Sequence, residues 1–135
     1  MRTTKTLSNS STLIVVLASY LCWISCGNPC DNERLSEVWS PGRTRKAIIF
    51  GRSCGATTPF TENVSVLWAS EKLADDHSGN AFSADSNHGA VQNIRVNVEW
   101  ISEDQILVTY PVKIRILFQA IRLGGANVRF VPRDE

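Results

Sequence analysis

One apolar run, Leu13 to Ile24, decides which residues of this 135-residue chain are left to build a fold. Arg2 and Lys5 precede it; Ser25-Cys26-Gly27 and the polar stretch Asn28 to Arg34 follow. A basic stub, about a dozen apolar residues and a small-residue exit have the layout of a secretory signal, and the run falls short of the roughly 20 residues a spanning helix requires. The sequence therefore predicts an apolar signal helix over residues 1–27, a β-rich domain over 28–135, and export to the cell envelope. Three fates of the leader stay open. Lipid attachment at Cys26 would use Trp23-Ile24-Ser25 as the preceding residues, with Trp23 where leucine is usual. Cleavage after Gly27 would release the domain, and retention would leave the run as an anchor.

The four cysteines fit an exported chain. Cys22 and Cys26 belong to the leader or its boundary, which leaves Cys30 and Cys54 free to pair in an oxidising compartment. A bond between them would close a loop of about 25 residues, worth roughly 3 kcal/mol in the chain-entropy treatment. Two separate buried thiols are the alternative. Zinc is disfavoured, because Cys22 lies inside the apolar run and no Cys-x-x-Cys spacing occurs. No metal and no cofactor is expected.

Without the leader the chain carries 12 basic and 13 acidic residues, since Arg2 and Lys5 leave with it. That balance argues against a nucleic-acid partner, whose binding rests on many phosphate contacts. The basic cluster Arg43, Arg45 and Lys46 follows Ser40-Pro41-Gly42 and reads as a solvated turn leading into a strand.

Periodicity in the remaining residues is that of strands. Leu35 to Trp39, Arg45 to Arg52 and Glu62 to Ala69 are the first three, and Lys46-Ala47-Ile48-Ile49-Phe50 is apolar enough for a central strand. The clearest alternation is Ile94 to Ile101, with Ile94, Val96, Val98 and Trp100 on one face and Arg95, Asn97 and Glu99 on the other. Gln105 to Tyr110, Lys113 to Arg122 and Val128 to Val131 complete the set and read as antiparallel hairpins joined by tight turns. Ser70 to Asp76 could form one short helical turn. Ile114 to Leu123 has some helical spacing, but alternation of Lys113, Arg115 and Gln119 with Ile114, Ile116 and Phe118 favours a strand. The predicted fold is all-β, a mainly antiparallel meander or sandwich with at most one short helix.

Ser40-Pro41-Gly42-Arg43, Lys46-Ala47-Ile48-Ile49-Phe50 and Cys54-Gly55-Ala56-Thr57-Thr58 together resemble a family of small, uncharacterised bacterial exported or lipid-anchored proteins. That family carries a Ser-Pro-Asp-Gly-Lys turn, a Lys-Ala-Val-Val-Phe strand, Arg-Asp-Cys-Gly-Ala-Thr-Thr, an Asn-His-Gly loop and a C-terminal Val-Arg-Tyr. Arg52-Ser53-Cys54, Asn87-His88-Gly89 and Val128-Arg129-Phe130 occupy the matching positions here. The turn lacks the aspartate, Ser53 replaces an acidic residue and Pro59 a glycine. The resemblance implies the compartment and a Cys30 to Cys54 bridge, and brings no activity.

Two loops carry the residues with chemistry. Gly55, Thr57 and Thr58 lie in a stretch rich in hydroxyls and small residues, whose amides could receive a ligand's oxygens or could simply satisfy turn geometry. The long connection Ser70 to Asn93 holds Asp85, Asn87 and His88, an acid, an amide and an imidazole that could bind a cation or assist proton transfer, or could form an Asx turn. His77 sits beside Asp75 and Asp76 in the most polar stretch and is expected in solvent. No nucleophile elbow occurs, and a bridged Cys54 cannot attack. The expected function is a non-catalytic, exported or membrane-anchored β-domain that binds a protein partner or an envelope component through an edge strand or the long loop. The alternative is a small envelope hydrolase or metal-dependent enzyme using Asp85 and His88.

Overall fold

The computed structural model describes residues 30–134; the leader over 1–27, including Cys26, lies outside the described residues. Alternating apolar residues place nine strands in two facing sheets. The strands are β1 (Asp31–Trp39), β2 (Arg45–Ser53), β3 (Thr61–Trp68), β4 (Phe82–Asp85), β5 (Asn97–Ser102), β6 (Gln105–Pro111), β7 (Arg115–Gln119), β8 (Arg122–Leu123) and β9 (Ala126–Arg133). One sheet runs β1-β2-β3-β4-β7, the other β5-β6-β9-β8. The all-β expectation holds, and no helix occurs among the described residues.

The core lies between the sheets. Ala47 and Ile49 of β2, Val64 and Val66 of β3, and Phe82 and Ala84 of β4 face Val98 and Trp100 of β5, Ile106 and Val108 of β6, and Val128 of β9. Phe82 is fully buried, its ring 5.2 Å from that of Tyr110 and 5.9 Å from that of Phe130. It therefore bridges the two sheets. Two clasps close the β1/β5 side. The indole N–H of Trp100 donates to the Val38 carbonyl at 3.0 Å. The Glu103 carboxylate, in the β5–β6 turn, accepts from the Ser40 hydroxyl at 2.8 Å, the Gly42 amide at 2.7 Å and the Thr44 hydroxyl. These donors, Thr44 foremost, hold Glu103 below its ordinary pKa. A Cβ on Gly42 would stand 2.9 Å from that carboxylate, so a side chain there would push the Glu103 carboxylate aside.

Three sequence expectations change. Residues 105–133 were expected as antiparallel hairpins, but β6 and β9 pair in parallel, Ile106 opposite Val128 and Val108 opposite Phe130. A parallel pair needs a crossover, and here β7 provides it by visiting the opposite sheet. The single strand expected over Lys113 to Arg122 breaks at Ala120, where the chain turns the corner from β7 to β8. The supposed long loop Ser70 to Asn93 contains β4, paired with β3 and β7. The basic cluster is also less solvated than its charge suggests. Arg43 and Lys46 straddle the Trp39 ring at 5.2 and 5.3 Å, Arg45 lies 4.8 Å from that of Trp68, and Lys46 is buried.

The outer face of the first sheet is covered by residues 69–80, which act as a strap. Ile48, Phe50, Asn63 and Ser65 are buried on that face. Asn80 imitates a strand neighbour, its side chain accepting from the Val66 amide at 2.8 Å and donating to the Val66 carbonyl at 2.9 Å. Arg52 and Asn32 grip the other end through the carbonyls of Ala74, Asp75, Asp76 and His77. Gly79 touches β3 so closely that a Cβ would fall 2.6 Å from the Val64 carbonyl oxygen.

Candidate functional site

Cys30 and Cys54 extend the β1–β2 ladder by one position beyond the Asp31–Ser53 pair and form the expected disulfide. The loop after Cys54 leaves the sheet at this end, and so does the loop after Asp85, because Thr61 pairs with Asp85. The two loops singled out in the sequence thus emerge from the same end of the first sheet.

Among the described residues, their side chains are taken up by turns and an ion pair. Gly55, Thr57 and Thr58 are exposed; Gly55 takes a φ of 100°, and its carbonyl accepts the Thr58 amide at 3.2 Å. These contacts complete a turn. Asp85 is 1% exposed, and its carboxylate is occupied. One oxygen accepts the Asn87 amide at 2.9 Å, an Asx turn, and both oxygens accept from the Arg115 guanidinium. Arg115 is the larger cause of an Asp85 pKa below the ordinary aspartate value, the opposite of what a general acid needs. Asn87 donates to the Lys113 carbonyl at 3.2 Å, and the His88 ring stands 3.5 Å from Arg115. Asn87, His88 and Gly89 take φ values of 49°, 57° and 85°, a left-handed turn that the Asp85 cap and the Ser86 hydroxyl stabilise. Among the described residues, no three of His, Cys, Asp and Glu are placed to hold a metal ion.

No family model, curated protein or solved structure matches this chain.

Two features escaped the sequence reading. Glu62 faces the core, 5% exposed, and accepts the Val96 amide at 2.9 Å, tying the loop after β4 to β3. Burial pushes its carboxyl above the ordinary pKa, outweighing the Val96 hydrogen bond. A carboxyl raised in the fold favours the native state fully below its unfolded pKa of about 4.5, and that contribution is lost as pH climbs through the raised value. Glu62→Gln keeps an acceptor for Val96 and removes the charge. Thermal melts of the variant should match or exceed the parent at pH 7, with the difference vanishing near pH 4. A variant markedly less stable than the parent at pH 7 would show that the charge itself is needed.

The second feature is β7. It is an edge strand, and its apolar residues face water: Ile116 is 40%, Leu117 51% and Phe118 47% exposed, with Ile121 at the following corner 75% exposed. A bulge between Ser83 and Ala84 in the β4–β7 register places Ile116 opposite Ala84 and Phe118 opposite Ser83, so the two no longer share a face. Phe118 borders a groove of about 550 Å³ under the strap, whose other walls include Leu67, Leu73, Ala74 and Lys72. Of the two contact surfaces expected from sequence, an edge strand and the long loop, this one joins both.

Proposed function

We propose that this is a non-catalytic binding domain, held or released outside a membrane where thiols oxidise, and that it engages its partner through the β7–β8 side of the sandwich. The observation that carries the reading is the exposure of Ile116, Leu117 and Phe118 on β7, and of Ile121 at the corner after it, on an edge that no other element among the described residues covers. Soluble domains keep such edges short, charged or covered, and contiguous exposed apolar residues mark interaction sites. The Asp85 loop supports the same reading from the other direction. Its only carboxylate is consumed by Arg115 and the Asn87 amide, which leaves His88 without an acid to work with. The Cys30–Cys54 disulfide agrees with an oxidising location.

Attachment and contact lie far apart. Cys30 immediately precedes β1, the opposite edge of the first sheet from β7. Four strand spacings of about 4.8 Å separate those edges. An N-terminal anchor would therefore present the β7 side away from the surface that holds it. Photo-crosslinking residues placed singly at Leu117, Thr57 and His88 in the full chain, in intact cells, test the surface. Adducts should form at Leu117 and not at Thr57 or His88. Adducts confined to His88 would return the function to the Asp85 loop.

A further inference from the structure

The C-terminal part of the domain carries a charge asymmetry that bears on what the β7–β8 side receives. Between Gln105 and Arg133 there is no Asp or Glu, while Lys113, Arg115, Arg122, Arg129 and Arg133 are all present, in a chain whose overall charge is only +1. Arg115 is neutralised by Asp85. Lys113, Arg122, Arg129 and Arg133 are exposed. Lys113 and Arg122 flank the apolar row in sequence, before and after it, and Lys72 borders the groove beside Phe118. Asp76, on the strap, sits 3.7 Å from His77, which lines the groove.

We infer that the partner is an acidic polypeptide segment, with an apolar side chain seated in the groove between Phe118 and Leu73 and carboxylates facing Lys72, Lys113 and Arg122. This rests on the proposed use of the β7–β8 side and names the chemistry it takes. A second copy of the chain fits poorly, because joining two such sides would bring Lys113 and Arg122 against like charges. The membrane that holds an N-terminal anchor fits poorly too, because β1 and β7 are opposite edges. Pure strand addition is also disfavoured. The β7 bulge interrupts the backbone ladder an added strand would follow, so side chains in the groove must supply the specificity.

The test uses the purified full chain, labelled at the Ile and Leu methyl groups and observed by NMR, with three synthetic peptides as probes: Glu-Leu repeats, Lys-Leu repeats and Glu-Ser repeats. Ile101 is the internal control, since it is 56% exposed and lies on β5, in the other sheet. The Glu-Leu peptide should shift the methyls of Leu73, Ile116, Leu117 and Ile121 and leave Ile101 unmoved. Lys113→Glu combined with Arg122→Glu should remove those shifts while the buried Ile49 and Ile106 signals confirm the fold. Equal shifts from the Lys-Leu peptide, or shifts that include Ile101, would overturn the acidic assignment. Anionic bicelles carrying a nitroxide lipid complete the set: selective broadening of Ile116 and Ile121 would assign the side to lipid instead. If Leu117 crosslinks in cells while the peptide probes fail, the surface stands and only its ligand is wrong. If Leu117 does not crosslink, both fall.

Discussion

Replacing Phe82 by Ala should cost about 3–5 kcal/mol, the range seen for a large aromatic removed from a packed core. Phe82 has no exposed surface and contacts the rings of Tyr110 and Phe130 in the other sheet, so the cavity would open where the two sheets meet. A domain of this size holds about 5–15 kcal/mol in total, so the loss takes a large share of it. Denaturant titration of parent and variant measures the difference. Leu117→Ser is the matched control, because its side chain already faces water, and it should move the midpoint by no more than about 0.5 kcal/mol. Equal losses from the two substitutions would mean that β7 packs in solution as tightly as β4.

Removing the Cys30–Cys54 bond should be the next largest effect. The bond closes a loop with a sequence separation of 24, which corresponds to roughly 3 kcal/mol in the chain-entropy treatment. For about 100 residues this is a fall of roughly 12 °C in the thermal midpoint. The double variant Cys30→Ala, Cys54→Ala, followed by circular dichroism on heating, reads it without leaving a lone thiol. The effect should be local as well as global. β1 is an edge strand paired only with β2, and the amides of Asn32 and Glu33 should lose hydrogen-exchange protection before those of Val64 and Val66. Identical melts for the double variant and the parent would show that the bond is structurally idle.

Much of this architecture was legible from residue order because it is encoded locally. Lys46 to Phe50 is apolar enough for a central strand, and Val98 and Trp100 alternate with Asn97 and Glu99 as a half-buried strand does. β4 was not legible. Phe82-Ser83-Ala84-Asp85 is four residues long, follows Ser78-Gly79-Asn80, and is a strand only because β3 and β7 flank it. The parallel β6–β9 pairing was hidden for a related reason: nothing within either strand states which neighbour it will have. At the candidate loop, Asp85, Asn87 and His88 were visible as a group, but Arg115, the residue that decides their chemistry, lies 30 positions away. The exposure of Ile116 and Phe118 was hidden by the alternation itself, which signals a strand without saying that it will stand at an edge.

The excursion of β7 into the opposite sheet also governs how the molecule comes into being. β7 stands in one sheet between β6 and β9 of the other along the chain, so neither sheet is built from consecutive strands alone. Contacts this distant along the chain put assembly in the millisecond-to-second range rather than microseconds. A polypeptide that crosses a membrane unfolded would spend that interval with Ile116, Leu117 and Phe118 uncovered beside unsatisfied strand edges. Its tendency to clump is then set by the same few residues that serve it once folded.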